Sequence, residues 1–260
     1  MSESVILRDT LTAGSDEVEG LTVQWAVACH VGNVRPANED AALVQPGRYL
    51  LADGMGGHES GELASEAALL TLAAAPVGAS LAQTSGALEG LLVEAQDRIG
   101  SLEGDSARRA GTTATGVVLA AESGTPHWVA FNIGDSRTYL VSGGRLRPVS
   151  VDHSQVQELV DGGFLTAEQA RVDPRRNVIT RALGAGMTTP QADFYAFPAV
   201  AGDTVLLCSD GLNGELTDDE IGAVVTESPD LASAAQALVE CALDSGGHDN
   251  VTVVLARVTD

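Results

Sequence analysis

The sequence predicts an α+β fold in which antiparallel sheets are covered by helices. Three observations carry that reading. Short apolar stretches pair across short turns, as in Ala41 to Gln45 and Arg48 to Ala52 around Pro46-Gly47. Longer Ala- and Leu-rich stretches come in twos, Glu62 to Ala75 with Leu88 to Ile99 and Asp218 to Thr226 with Leu231 to Leu243. Strand pairs interrupted by helix pairs argue against a sheet wound by alternating strand and helix.

Residues 1 to about 20 mix Ser, Gly and acidic side chains, and a flexible lead-in is expected there. From Thr22 the pattern changes: Val23, Trp25, Val27 and Cys29 alternate with Gln24, Ala26 and Ala28, which is strand periodicity. A loop from His30 to Asn38, broken by Gly32 and Pro36, leads to the Ala41 to Ala52 hairpin. The two helices that follow are separated by the breakers between Pro76 and Ser80 and by Gly86. Strands resume at Gly111 to Ala120, Trp128 to Ile133 and Arg137 to Val141, the last turning at Ser142-Gly143-Gly144 into Arg145 to Val149. Ser154 to Gly162 and Thr166 to Arg171 read as two short helices before Pro174. A strand at Asp203 to Ser209, the second helix pair and a strand at Val251 to Val258 complete the chain. No repeat or linker divides it, so residues 21–260 are expected to be one domain.

Composition restricts the function. The 260 residues carry 36 Asp plus Glu against 14 Lys plus Arg, a formal charge of -22. Such a surface repels nucleic acid and anionic lipid, so neither is an expected partner. Cys29, Cys208 and Cys241 are scattered without a CxxC pair, which favours a reducing, cytoplasmic setting over a disulfide framework. No signal-peptide pattern is seen in residues 1–20, and no stretch approaches the roughly 20 apolar residues of a membrane span.

Four acidic positions share one local setting. Asp53 follows the apolar run Leu50-Leu51-Ala52 and opens a glycine-rich turn. Glu39-Asp40 stands where a loop becomes a strand, Asp210-Gly211 ends Val205-Leu206-Leu207-Cys208, and Asp249-Asn250 begins the last strand. Sheets commonly present site residues at strand ends. Asp-Gly is also a common turn dipeptide, and any one of these carboxylates alone is ordinary surface chemistry. Taken together they form an oxygen donor set that suits Mg2+ or Mn2+ over Zn2+, with enough carboxylates for two ions and an activated water between them. Arg35, four residues before Glu39, offers a planar fork for phosphate oxygens.

The runs Arg35-Pro36-Ala37-Asn38-Glu39-Asp40 and Asp53-Gly54-Met55-Gly56-Gly57-His58 resemble the bacterial branch of the metal-dependent protein phosphatases (PPM, protein phosphatase type 2C). The likeness continues through Gly111-Thr112-Thr113, Ile133 to Arg137, Asp152-His153-Ser154, Ile179 to Gly184, Ser209 to Leu212 and Asp249 to Thr252, in the family's order. The resemblance implies two packed antiparallel sheets flanked by helix pairs, a four-layer sandwich. It also implies hydrolysis of phosphoserine and phosphothreonine in proteins by metal-activated water. Carried over, Asp53 would bridge two ions, with the Gly54 carbonyl binding one of them. Asp210 and Asp249 would hold one ion and Glu39 the second, partly through water. Asp40 would hydrogen-bond a metal-bound water, Arg35 would hold the substrate phosphate, and Asp135 would help bind a third, weaker ion. Residues 154–177 fall where the family carries a flap. The expected partners are phosphoproteins, including Ser/Thr kinases and their targets, met by a monomer; the acidic surface favours basic sequence around the phosphate.

One position departs from the animal pattern: Met55 stands where a His follows Asp-Gly, so a metal-bound water is the expected proton donor, and His58 is read as bracing the next helix. Cys29 and Arg35 satisfy C-x₅-R, the spacing of cysteine-nucleophile phosphatases, but Cys29 closes an alternating strand. His58 to Glu62 lacks the second His of H-E-x-x-H, and the glycines at 54, 56 and 57 complete neither GxGxxG nor a Walker motif. The competing class is a catalytically silent phosphoprotein-binding member of the same fold, which would be expected to have lost Arg35 or a metal carboxylate.

Overall fold

The structure, a computed structural model, describes residues 5–56, 59–102 and 110–259. Strands β1 (Leu11–Val18), β2 (Leu21–His30), β3 (Ala41–Gln45), β4 (Arg48–Ala52) and β5 (Gly54–Met55) precede the helices α1 (Glu59–Leu72) and α2 (Leu81–Leu102). Then come β6 (Gly111–Thr112), β7 (Ala114–Glu122), β8 (Thr125–Ile133), β9 (Arg137–Ser142) and β10 (Arg145–Pro148). Short helices α3 (Gln155–Asp161) and α4 (Ala167–Val172) lead to β11 (Leu183–Gly184), β12 (Asp193–Pro198) and β13 (Thr204–Cys208). The chain ends with α5 (Asp210–Asn213), α6 (Asp218–Glu227), α7 (Leu231–Asp244) and β14 (Val251–Val258).

Two antiparallel sheets stack, one of six strands in the order β1-β2-β14-β13-β9-β10 and one of five in the order β12-β8-β7-β4-β3. Period-two alternation sorts each strand between two cores. Val27, Tyr49, Leu51, Val117, Leu207 and Val254 meet between the sheets. Leu43, Leu50, Val118 and Phe131 face outward onto Leu69, Leu72, Leu88, Leu92 and Ile99 of α1 and α2. On the opposite side Ala28, Leu206, Val253 and Leu255 pack on Ile221, Val225, Ala235 and Leu238 of α6 and α7. This is the four-layer sandwich, helices outside and sheets within.

Two local readings change and one strand is added. Residues 11–18 are no loose lead-in: β1 pairs with β2 from Leu11↔Ala28 to Val18↔Leu21. Its side chains alternate between exposed and half-buried, so an edge strand of polar composition gave no apolar signal. Helix α2 starts at Leu81, not Leu88, and runs through Gly86. Ser80 caps it, accepting from the Gln83 backbone N–H (3.3 Å) while Gln83 Oε1 accepts from the Ser80 N–H (3.2 Å). A mid-helix glycine costs about 1 kcal/mol, which burial of Leu88, Leu92 and Ile99 offsets. Strand β12, in a stretch to which the sequence reading assigned no element, pairs with β8 along Asp193↔Asn132 to Pro198↔His127.

Candidate active site

Strand register brings most of the predicted carboxylates to sheet ends. Ala41 pairs with Ala52, so Asp40 and Asp53, each one residue further out, leave the same end of the five-stranded sheet. Cys208 pairs with Val253 on one side and Arg137 on the other, so Asp210, Asp249 and the turn carrying Asp135 leave one end of the six-stranded sheet. Both ends are the same end of the sandwich, for Asp53 lies within electrostatic reach of Asp40, Asp210, Asp135 and Asp249.

Packing fixes the backbone around each carboxylate. The Asp53 carbonyl accepts from the Thr113 N–H (2.9 Å) and the Thr112 hydroxyl (2.9 Å), and its N–H donates to Thr113 Oγ1 (3.0 Å). Glu39 N–H donates to Asn250 Oδ1 (2.8 Å), while Asn250 Nδ2 donates to the carbonyls of Val31 (2.8 Å) and Ala37 (3.0 Å). One buried amide thus joins the Glu39 loop to the Asp249 strand. Gly54 and Gly61 are required by close approach: a Cβ on Gly54 would strike the carbonyls of Gly61 and Glu39, and one on Gly61 would strike Glu39 Oε2. The Glu39 carboxylate therefore lies against the start of α1. Gly134-Asp135 is held by His153, whose Nδ1 accepts from the Gly134 N–H (3.1 Å). Its Nε2 lies 3.2 Å from both Asp193 Oδ2 and Arg181 Nη1.

The electrostatics are those of crowded carboxylates. Asp40 is fully enclosed, and neither of its oxygens has a hydrogen-bond partner, although the Ser209 and Thr252 hydroxyls adjoin it. Burial, then Asp210 and Asp249, push it up to about 7. Burial and Asp249 push Asp210 up to about 6 against the pull of Arg35, and Asp53 and Asp135 are raised by burial and by their acidic neighbours. Asp53 and Asp210 keep part of their surface open, which leaves the cluster accessible from outside. Arg35 stands at the rim, 53% exposed, its Nη2 2.6 Å from Asp249 Oδ2.

Among the described residues, no three His, Cys, Asp or Glu side chains converge into a ready ligand shell about one point. The donor set nevertheless fits hard divalent cations. It is all oxygen, it concentrates like charges that repel, and it includes two buried oxygens with no partner. Beside it a cavity of about 330 Å³, lined by Asp135, Asp210, Arg137, Asp152, Val156 and Arg171, separates α3 and α4 from α5. Arg171 closes one side by donating to the carbonyls of Asn213 and Leu216, each at 3.3 Å.

Other sequence expectations resolve locally. Cys29 is buried, and burial pushes its thiol up to about 12, the opposite of what a thiolate nucleophile needs. Met55 lies in β5. His58 lies outside the described residues. Sequence reasoning assigned no role to Asn250, Thr113 or His153, although all fall within the motifs that carry the family resemblance; their roles come from what they bond across the fold. No helix among the described residues is long and apolar enough to cross a membrane.

Comparison with known proteins agrees with this geometry. A protein phosphatase 2C family model matches residues 34–255. The serine/threonine protein phosphatase PstP of Mycobacterium tuberculosis is 39% identical over 248 residues, covering 92% of this chain and 46% of that protein. The chain thus spans slightly less than half of that relative. Protein phosphatase PhpP of Streptococcus pneumoniae is 35% identical over 239 residues, covering 88% of this chain and 95% of that one. Among solved structures, the catalytic domain of PstP in complex with two manganese ions superposes with a TM-score of 0.76 at 36% identity, covering 92% of this chain and 99% of that one. With the carboxylates and Arg35 gathered at one end of this sandwich, and a family match over residues 34–255, the chain belongs to the protein phosphatase 2C family.

Proposed function

We propose that this chain is a metal-dependent serine/threonine protein phosphatase that hydrolyses phosphoserine and phosphothreonine in proteins. The observation that carries the reading is the meeting of Asp40, Asp53, Asp210 and Asp249, drawn from both sheets, beneath a half-exposed arginine. The cofactor is Mn2+ or Mg2+; PstP, with two manganese ions bound in its solved structure, supports Mn2+. Asp53, Asp210, Asp249, Glu39 and the Gly54 carbonyl would hold two ions, and Asp135 a third. When bound, such ions act as Lewis acids and lower the pKa of water so that it attacks phosphorus in line.

The chain's own groups do the rest. Arg35 binds the phosphate oxygens through its planar fork, pre-oriented by its ion pair with Asp249. Asp40, buried beside the cluster next to the Ser209 and Thr252 hydroxyls, would accept a hydrogen bond from a metal-bound water and so orient it. The phosphorus–oxygen ester bond breaks as the bond to the water oxygen forms, and the water's proton ends on the serine or threonine oxygen. Each candidate acidic position and Arg35 is present, so nothing supports a catalytically silent member. Cysteines that form no disulfide support a reducing, cytoplasmic setting, where the chain would act as a monomer on kinases and their targets.

The test is hydrolysis of para-nitrophenyl phosphate and a phosphothreonine peptide, titrated with Mn2+ and then with EDTA. Mn2+-dependent release that EDTA abolishes, and that Asp210→Asn reduces by orders of magnitude, is expected. Phosphate release indifferent to metal, or none from either substrate with Mn2+ present, would overturn the assignment.

A further inference from the structure

The N-terminal segment before β1 lies outside the matched stretch 34–255, yet it is bound to β3 and to the Glu39–Asp40 segment that leads into it. Leu7 and Ala42 exchange both backbone hydrogen bonds, at 2.8 and 2.9 Å. Asn38 Nδ2 donates to Asp9 Oδ1 (2.8 Å), and Asn38 Oδ1 accepts from the Asp40 N–H (3.1 Å). The centre of the attachment is Arg8, whose side chain is 16% exposed. Its Nε donates to the Asp40 carbonyl (2.8 Å), its Nη1 to Glu62 Oε1 (2.8 Å), and its Nη2 to the Glu62 carbonyl (3.2 Å) and Ser65 Oγ (3.2 Å). Ser65 Oγ in turn donates to the Glu39 carbonyl (2.7 Å).

We infer that Arg8 is a positioning residue: it ties the Glu39–Asp40 backbone to the first turns of α1 and so sets where those carboxylates stand. Two consecutive carbonyls, those of Glu39 and Asp40, are fixed by one guanidinium and the serine it holds. The helix they are fixed to is the one whose Gly61 touches the Glu39 carboxylate. A planar fork with five donors can satisfy this arrangement, and an ammonium on a flexible stem cannot reach all of its acceptors at once. Groups that orient ligand-bearing backbone contribute to metal affinity without touching the ion. The inference rests on the proposed metal-dependent reading of the site.

The experiment is calorimetric titration of Mn2+ into the full chain, comparing wild type with Arg8→Lys and Arg8→Ala, with thermal melting in EDTA alongside. Arg98→Ala, which removes the exposed pair with Glu94, is the control. Arg8→Lys keeps the charge beside Glu62 and should melt near the wild-type temperature while its Mn2+ Kd rises roughly 10-fold or more. Arg8→Ala should behave likewise, with affinity partly restored by ethylguanidinium. An Arg8→Lys protein that binds Mn2+ as wild type does overturns the inference alone, whether or not Arg8→Ala folds. A wild-type chain that takes up no Mn2+ overturns the proposed function, and this inference with it.

Discussion

Replacing Gly61 with alanine sets helix propensity against the geometry of the site. Alanine is favoured over glycine within a helix by about 1 kcal/mol, so propensity alone predicts a stabilised protein. The structure reverses the sign: the new Cβ would fall on Glu39 Oε2, 2.8 Å from Glu39 Cδ and 3.0 Å from the Gly54 carbonyl carbon. Overpacking of this kind costs about 1–3 kcal/mol, leaving a net loss of about 0–2 kcal/mol. At about 2–4 °C per kcal/mol for a chain of this size, Tm falls by no more than about 8 °C. The Gly54 backbone is held between two chain segments, whereas the atom struck in Glu39 is the terminal oxygen of a side chain with rotatable bonds, so the carboxylate shifts. The consequence belongs to metal binding: Mn2+ affinity should fall roughly 10-fold or more. Melting curves and calorimetric Mn2+ titration of Gly61→Ala measure the two effects separately. A variant more stable than wild type with unaltered Mn2+ affinity would refute the placement of Glu39 against α1.

Three further outcomes follow from the same geometry. Burial first, and mutual repulsion second, hold Asp40 at about 7 and Asp210 at about 6, so the metal-free folded chain keeps protons that the unfolded chain has released. Its stability therefore falls as pH rises from the ordinary carboxylate range through neutrality, and Mn2+ should remove that slope; urea midpoints in EDTA that rise between pH 5 and pH 8 would contradict this. Arg35→Ala should raise KM for phosphorylated substrates about 10-fold or more while the Mn2+ Kd stays within a factor of about three, and a lost metal with an unmoved KM would make Arg35 a support for the ions rather than a phosphate binder. Cys29→Ser should keep wild-type kcat at a stability cost of about 1 kcal/mol, because its thiol is buried and pushed up to about 12; an inactive but folded protein would restore the cysteine-nucleophile reading.

How much of this was legible beforehand depended on whether the signal was local. The α3, α4 and α6 boundaries were readable because Ser154, Thr166 and Thr217 cap their helices within four residues of sequence. The β3–β4 hairpin was readable from two short apolar runs split by the breaker Pro46-Gly47. Strand β1 was not, since an edge strand with one half-buried face needs no apolar pattern. For the site, strand-end carboxylates could be named from sequence, but their convergence depends on register between strands far apart in the chain. Arg8, Asn250 and His153 were invisible as contributors because each acts through bonds to backbone dozens to hundreds of residues away or across a turn.

The carboxylates divide between the sheets, and that division also follows chain order. Glu39, Asp40 and Asp53 leave strands of one layer, while Asp210 and Asp249 leave strands of the other. Neither half of the polypeptide owns a complete set, and the two sets face each other only while apolar side chains keep the layers in register. On the proposed reading, cation uptake would gauge that interlayer seam and would be lost if the layers sheared even while each sheet kept its own hydrogen bonds.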